Sequence, residues 1–356
     1  MPRPPRTPHL YILHSSKLHG TERVALDTSV GLRDEFEPIL FGPPGPAMDE
    51  AEKLGFEARR FRGAKAFAKS LRPVLKKYDS MVFVATGVMH SGVCLALNLL
   101  YRRRINHFQI VHGGSSDLHS YGRKKWLNHT GVKFIAVSDW TKQKLIDFGT
   151  RADLIEVIPN ALPAERIAAA PKRRPYDIAA VRSVIIVCRI DPMKRVGLLL
   201  DALDRGSPKL REICFTIYGT GGEFDALRSR AAATHPNVQF AGYSSDIPNH
   251  MAHADLFLHT CPEEPFGLVI LEAMAANLAV LVPDSAGPGA IVQDNINGFK
   301  FRANDAAHLA QRLEELMNAP PEKFNATAAA ARETVESTYS CRKTMDNYRR
   351  LFNASH

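Results

Sequence analysis

Short runs of β-branched and aromatic residues alternate with stretches of helical periodicity along the whole 356-residue chain. No other feature narrows the fold as much. In the first half, residues 10–14, 39–41, 81–85, 108–112, 134–137 and 157–158 read as strands. Residues 184–188, 215–218, 238–240, 256–258 and 279–282 repeat the scheme in the second half. Amphipathic segments lie between most of them. One opens at Thr21 as N-cap; another opens at Ser138, N-cap of DWTKQKLIDFG, and closes at Gly149. Strands alternating with helices are parallel βαβ units, so the expected class is α/β with doubly wound sheets. At about 150 residues per domain the chain holds two domains. A fresh buried strand, VIIVC, starts at 184 after the linker-like AAAPKRRPYD at 168–177. The economical reading is two Rossmann-like domains, 1–178 and 179–337, with a hinge near 160–182.

Composition removes several other classes. Hydrophobic residues make up 45% and charged residues 23%, which excludes a disordered chain, a collagen-like fibre and a coiled coil. Cys94, Cys188, Cys214, Cys261 and Cys341 lie far apart with no CxxC pair. Neither a disulfide framework nor a structural zinc site is expected, and a reducing cytoplasm is the default. The start, MPRPPRTPH, has no apolar run and reads as a frayed tail rather than a secretory signal. Residues 81–100 are apolar, but Thr86, His90, Ser91 and Asn98 interrupt them, so they read as a buried strand plus a buried helix. Residues 1–178 hold 28 Lys/Arg against 17 Asp/Glu (+11), and residues 179–356 hold 18 against 20 (−2). A basic half suggests an anionic partner: phosphorylated substrate, lipid headgroups or nucleic acid. The bland alternative is a solvated basic face.

In open parallel sheets ligands bind beyond the carboxyl ends of strands, so the loops after strands are where chemistry belongs. After VIIVC come Arg189 and Lys194, two cations before a helix, suited to a diphosphate. After FTIY come Gly219 and then Thr220-Gly221-Gly222, which permit close approach of a ligand to backbone but form no GxGxxG fingerprint. The segment ADLFLHTCPEEPFGLVILEAMA reads as strand, loop and helix, with Glu264 before the helix and Glu272 inside it. With a helix starting near Phe266, the N–H groups of Phe266, Gly267 and Leu268 hold phosphate oxygens while the carboxylates accept sugar hydroxyls. Otherwise Glu264 is only a first-turn acid and Glu272 a surface residue. Ser285–Gly289 can close over the same cleft. In the first half His112-Gly113-Gly114 follows the strand FQIV, and His19-Gly20-Thr21 follows the first strand. A lone loop histidine is more often structural than catalytic.

These loops, in this order, resemble the retaining glycosyltransferases of family four, which have the two-domain GT-B fold. Glu264 and Glu272, within EEPFGLVILEAMA, match the family's Glu, seven residues, Glu motif, and Arg189 and Lys194 match its diphosphate-holding pair. IAVSDWTKQKL, VIPNA and NGFKF look like further family landmarks. The resemblance implies two Rossmann-like domains facing a central cleft. The donor domain holds a UDP- or GDP-linked sugar, the N-terminal domain holds the acceptor, and the last helix (338–356) crosses back onto the N-terminal domain. It implies that Arg189 and Lys194 neutralise the leaving diphosphate, that Glu264 contacts sugar hydroxyls and that Glu272 contacts the ribose. Gly219 joins these donor-binding residues. His112 matches a histidine near the sugar's reactive face, and Gly20 lets the first loop approach the phosphates. No metal or cofactor is implied, and the chain contains no Asp-x-Asp.

Three positions depart from the pattern: His19-Gly20 stands for two glycines, Pro265 for glycine, and Gly289 for an acid. The expected acceptor is a sugar, glycolipid or lipid-linked molecule, and the +11 balance with the clusters Arg102–Arg104 and Arg123–Lys125 predicts peripheral contact to an anionic membrane. Because Glu264 precedes a helix in a loop, its replacement is expected to change stability by no more than about 1 kcal/mol. The rivals are a nucleotide-sugar epimerase of the same fold, a degenerate donor-binding scaffold and a basic nucleic-acid-binding protein. No recognition-helix or aromatic-rich basic motif supports the last.

Overall fold

The computed structural model describes residues 6–113, 121–177 and 181–354. The chain divides into two compact units, Met1–Asn160 with Cys341–His356, and Ala161–Ser340. The expected boundary at 178/179 and the glycine Gly114 lie outside the described residues.

The first unit is built on seven parallel strands: β1 (Thr7–Ile12), β2 (Phe36–Gly42), β3 (Glu57–Arg60), β4 (Ser80–Ala85), β5 (Arg104–Val111), β6 (Lys133–Ala136) and β7 (Ile155–Val157). Their order is β3-β2-β1-β4-β5-β6-β7, so the winding reverses between β1 and β4. Four helices connect the first strands: α1 (Gly20–Leu32), α2 (Pro46–Lys53), α3 (Gly63–Lys77) and α4 (Val88–Tyr101). α3 buries Phe67, Leu71, Val74 and Leu75, one stripe at helical spacing, against Leu10, Ile12, Phe41 and Phe83 of the sheet. The Cys341–Asn353 helix also belongs here. Its Phe352 ring lies 5.2 Å from His9, 5.7 Å from Phe36 and 5.1 Å from Phe108. Asn106 donates to the Phe352 carbonyl at 2.8 Å. Gly31 makes room for this helix, since a Cβ there would sit 2.6 Å from the Met345 sulfur.

The second unit holds six parallel strands: β8 (Ser183–Val187), β9 (Cys214–Tyr218), β10 (Val238–Gly242), β11 (Leu256–Leu258), β12 (Val280–Pro283) and β13 (Phe299–Phe301). Their order is β10-β9-β8-β11-β12-β13, with the reversal between β8 and β11. Residues 161–177 join this unit rather than the first. Arg173 stacks 3.4 Å from the Tyr176 ring and pairs with Asp255 at 2.6 Å. The Tyr176 hydroxyl donates to the Asp255 carbonyl, and Asn325 accepts from the Tyr176 N–H. A stretch that reads as a linker is therefore stapled down by its own cation and aromatic.

Three local expectations change. The first helix starts at Gly20 with His19 as N-cap, not at Thr21. β3 and β13 go unread in the sequence because one is the polar edge segment EARR and the other is only three residues long. Short edge strands take their form from pairing with a neighbour, so they leave little pattern of their own. Residues 80–101 do form a strand and a helix, and no helix among the described residues is long and apolar enough to cross a membrane.

Candidate active site

β8 and β11 are neighbours at the point where the second sheet reverses direction, so the loops leaving their carboxyl ends diverge around a crevice. The first loop runs Cys188-Arg189-Ile190-Asp191 into a short 3₁₀ turn, Pro192–Lys194, and Arg195 takes a left-handed conformation (φ 54°) before the next helix. The second runs from His259 to Gly267. The two are tied together. Thr260 Oγ1 donates to the Lys194 carbonyl at 2.8 Å and Cys261 Sγ donates to the Met193 carbonyl at 3.1 Å.

Within this crevice the Lys194 ammonium forms an ion pair with Glu264 Oε2, both side chains less than a fifth exposed. His259 Nε2 lies 3.6 Å from the same carboxylate oxygen, and His259 itself is buried. Burial alone raises the Glu264 pKa, but Lys194 and His259 outweigh it and hold the carboxyl well below the usual carboxylate range. Burial likewise works to lower Lys194, yet the Glu264 charge carries it above its ordinary value. Both groups are therefore charged at neutral pH. Arg189 is half-exposed on the same loop, with its Nε 2.7 Å from Asp191 Oδ2.

His259, Cys261 and Glu264 bring their ligand atoms within 4.8 Å of one another. Their chemistry does not favour a divalent metal. Burial pushes the Cys261 thiol up to about 12, and Lys194 already neutralises the carboxylate.

The helix after this loop begins at Leu268, not near Phe266, because Gly267 is left-handed (φ 101°) and caps it. A side chain at 267 would lie 2.7 Å from Ile270 Cδ1. Leu268 and Val269 carry first-turn N–H groups with no partner inside the helix, whereas the Ile270 N–H already donates to the Gly267 carbonyl at 2.9 Å. Phe266 is buried against Tyr339 at 5.7 Å. Glu272 stands one turn further along, about a third exposed, 3.9 Å from Arg166. The Ser285–Gly289 segment packs onto the loop through Ser285 Oγ to the Pro262 carbonyl (2.6 Å) and Gly287 N to the Glu264 carbonyl (2.9 Å).

Gly219 and Gly221 lie where one backbone crosses another. A Cβ on Gly219 would fall 1.8 Å from the Cys188 carbonyl oxygen, and one on Gly221 2.2 Å from that of Ile190. What approaches these glycines is the β8 loop, not open space, so they keep the Arg189 loop in place. In the first unit, Gly20 is the first residue of α1, where Glu22 Oε2 accepts the His19 N–H at 3.0 Å. His112 is half-buried directly after β5, followed by left-handed Gly113.

The sequence reading singled out Lys194 and Glu264 separately, and the structure joins them. It missed His259, Asp191 and Arg166, the groups that hold the expected residues. The only hint for His259 is its place as the first polar residue after the apolar β11, five residues before Glu264.

The family model described as "Glycosyl transferases group 1" matches residues 177–334, and that described as "Glycosyltransferase Family 4" matches residues 18–166. The chain is 30% identical to the phosphatidyl-myo-inositol mannosyltransferase of Mycobacterium leprae over 51% of this chain and 49% of that one. It is 28% identical to the GDP-mannose-dependent alpha-(1-6)-phosphatidylinositol monomannoside mannosyltransferase of Mycobacterium tuberculosis over 57% of each. It thus spans about half the length of the curated relatives it matches. The solved structure of Anabaena HepE in complex with UDP-glucose superposes with a TM-score of 0.82 at 22% identity, covering 98% of this chain and all of that one. The two models follow one another along the two units, and the superposition extends over both, so the chain belongs to the family-4-like glycosyltransferases of GT-B fold.

Proposed function

We propose that this chain transfers a sugar from a nucleotide-diphosphate donor to an acceptor hydroxyl with retention of anomeric configuration. The observation that carries the reading is the charged Lys194–Glu264 pair, set between loops at the switch point of the second sheet. Lys194 uses one of its three N–H donors on Glu264, which leaves its charge able to act on a diphosphate. Arg189 shares that anion, and the N–H groups at Gly267 and Leu268 complete a cationic cradle without a metal. Glu264, held ionised, accepts sugar hydroxyls; Glu272 accepts from the ribose, with Arg166 orienting it. Phe266 packs beneath the loop and fixes its path. The first unit holds the acceptor, with His112 directly after β5 and Gly20 at the start of α1. The departing phosphate oxygen takes the acceptor's proton on the face the acceptor attacks.

The donor is UDP- or GDP-linked, as the names of HepE's ligand and of the mannosyltransferase suggest for those proteins. The acceptor is a sugar, glycolipid or lipid-linked molecule reached from the cytoplasm, with peripheral contact to an anionic membrane. No cofactor and no nucleic acid take part. Incubation with UDP- and GDP-sugars in chelator, with and without acceptor, tests this by NMR of the product's anomeric proton. Acceptor-dependent transfer with retention is expected. Donor turnover without acceptor points to the epimerase, and activity that only magnesium or manganese restores overturns the metal-free reading.

A further inference from the structure

α4 is built inside out. Its polar residues face inward: His90 and Ser91 are buried, Ser91 Oγ lies 3.1 Å from His107 Nε2, and Asn98 exchanges hydrogen bonds with the Arg103 backbone. Its outer face is apolar. Met89, Gly92, Ala96, Leu99 and Leu100 recur at helical spacing and are all exposed, Leu99 by 80% and Leu100 by 77%. The helix carries no charged residue from Val88 to Tyr101. Two adjacent, largely exposed leucines on an uncharged helix are costly to leave in water and mark a surface that something covers.

The neighbours of that face are basic. α3 packs alongside α4, and its exposed side carries Lys65, Lys69, Arg72 and Lys76, one stripe at spacings of four, three and four. α3 contains no acidic residue, and none of these four has an ion pair among the described residues. On the other flank Val88 and Leu95 of α4 pack towards Tyr121 and Leu127, and the segment between those two exposes Arg123, Lys125 and Trp126. Arg102 and Arg104, just past the end of α4, are exposed as well. The basic clusters read from the sequence are thereby thinned. Arg103 is spent on Asp79 and the Leu75 carbonyl, and Lys124 is buried over the Tyr121 ring.

We infer that this face docks on an anionic lipid bilayer, with Leu99, Leu100 and Trp126 entering the headgroup boundary and the α3 stripe meeting anionic headgroups. An apolar strip bordered by unpaired cations and an indole is the chemistry such a surface selects. A second copy of the chain is disfavoured, because it brings the same uncompensated cations together. The inference rests on the proposed function only for its purpose, delivery of the first unit to a lipid-borne acceptor.

Flotation of the full chain with phosphatidylcholine vesicles, with and without phosphatidylglycerol, is the test. Binding to the anionic vesicles at low salt and none to phosphatidylcholine alone is expected. Leu99→Ser with Leu100→Ser, and separately Lys69→Glu with Arg72→Glu, should each lower the bound fraction by at least about tenfold with unchanged thermal unfolding. Equal flotation with both vesicles or with neither overturns the inference, as does an apolar double variant that floats like the parent. So does self-association in velocity sedimentation that the leucine substitutions abolish. UDP and GDP titrations run in parallel separate the two readings. Vesicle binding without nucleotide binding sinks the proposed function alone, and the converse sinks this surface alone.

Discussion

Glu264 and Lys194 show how burial changes what a substitution costs. As a loop residue before a helix, Glu264 is expected from the sequence to change stability by no more than about 1 kcal/mol when replaced. In the structure its removal strands a mostly buried ammonium, and breaking such a pair from one side costs about 3 kcal/mol. We therefore expect Glu264→Gln to lose both transfer and roughly that much stability in urea unfolding. Lys194→Met in the same chain should return much of the stability and none of the activity, because no charge is then left unpaired. An additive double variant would show that the two groups do not interact. Titration with UDP or GDP should find weaker binding in Lys194→Met, since the cation proposed to hold the diphosphate is gone.

At the scale of elements, the site depends on where backbone crosses backbone. β9 ends in a glycine-rich turn because the Cys188 and Ile190 carbonyls occupy the space a side chain would need. Gly219→Ala should therefore be severely destabilising, by about 3 kcal/mol or more, through collision and a positive φ of 132°. Gly222, three residues on, has nothing within 4 Å of its missing Cβ. Gly222→Ala should stay within about 0.5 kcal/mol of the parent. Thermal unfolding of both variants checks this pairing, and equal effects would mean the turn is not wedged against the Arg189 loop. The glycines are visible in the sequence, but the carbonyls that demand them come from the loop after β8, about thirty residues away.

For the whole molecule, acid should act on the two units unequally. The first unit buries His9 and His107, each pushed by burial from 6.5 down to about 3, and His90, pushed by burial and by His14 down to about 4. Neither ring nitrogen of His9 has a hydrogen-bond partner among the described residues. A base with a depressed folded pKa stabilises the fold fully above 6.5 and loses that contribution as pH falls towards 3. Glu264, also depressed, keeps its contribution until pH drops below the ordinary carboxylate value of about 4.3. The first unit should thus loosen at higher pH than the second. Trp126 and Trp140, the chain's two tryptophans, both lie in the first unit, so their fluorescence reports it separately from far-UV circular dichroism. Fluorescence should change before ellipticity on acidification, and His9→Leu should move that change to lower pH. Coincident transitions would remove the buried histidines from the account.

The alternation of strand and helix, the two-fold repetition of that scheme and the candidate residues Arg189, Lys194, Glu264 and Glu272 are all carried by the sequence alone. Each rests on local chemistry: period, capping and the kind of side chain that follows a buried strand. Long-range pairing decided the rest. The apolar run at 81–100 gives the correct strand and helix, yet its composition does not say which side of the helix faces the sheet, and α4 turned its polar residues inward. The stretch at 168–177 looks like a free linker until Asp255 and Asn325 arrive from distant segments to hold Arg173 and Tyr176. The charge state of the Lys194–Glu264 pair depends on the adjacency of β8 and β11, strands separated by two others in sequence. Coulomb energy and desolvation act through space, so residues seventy positions apart acquire their chemistry only when the sheet closes between them.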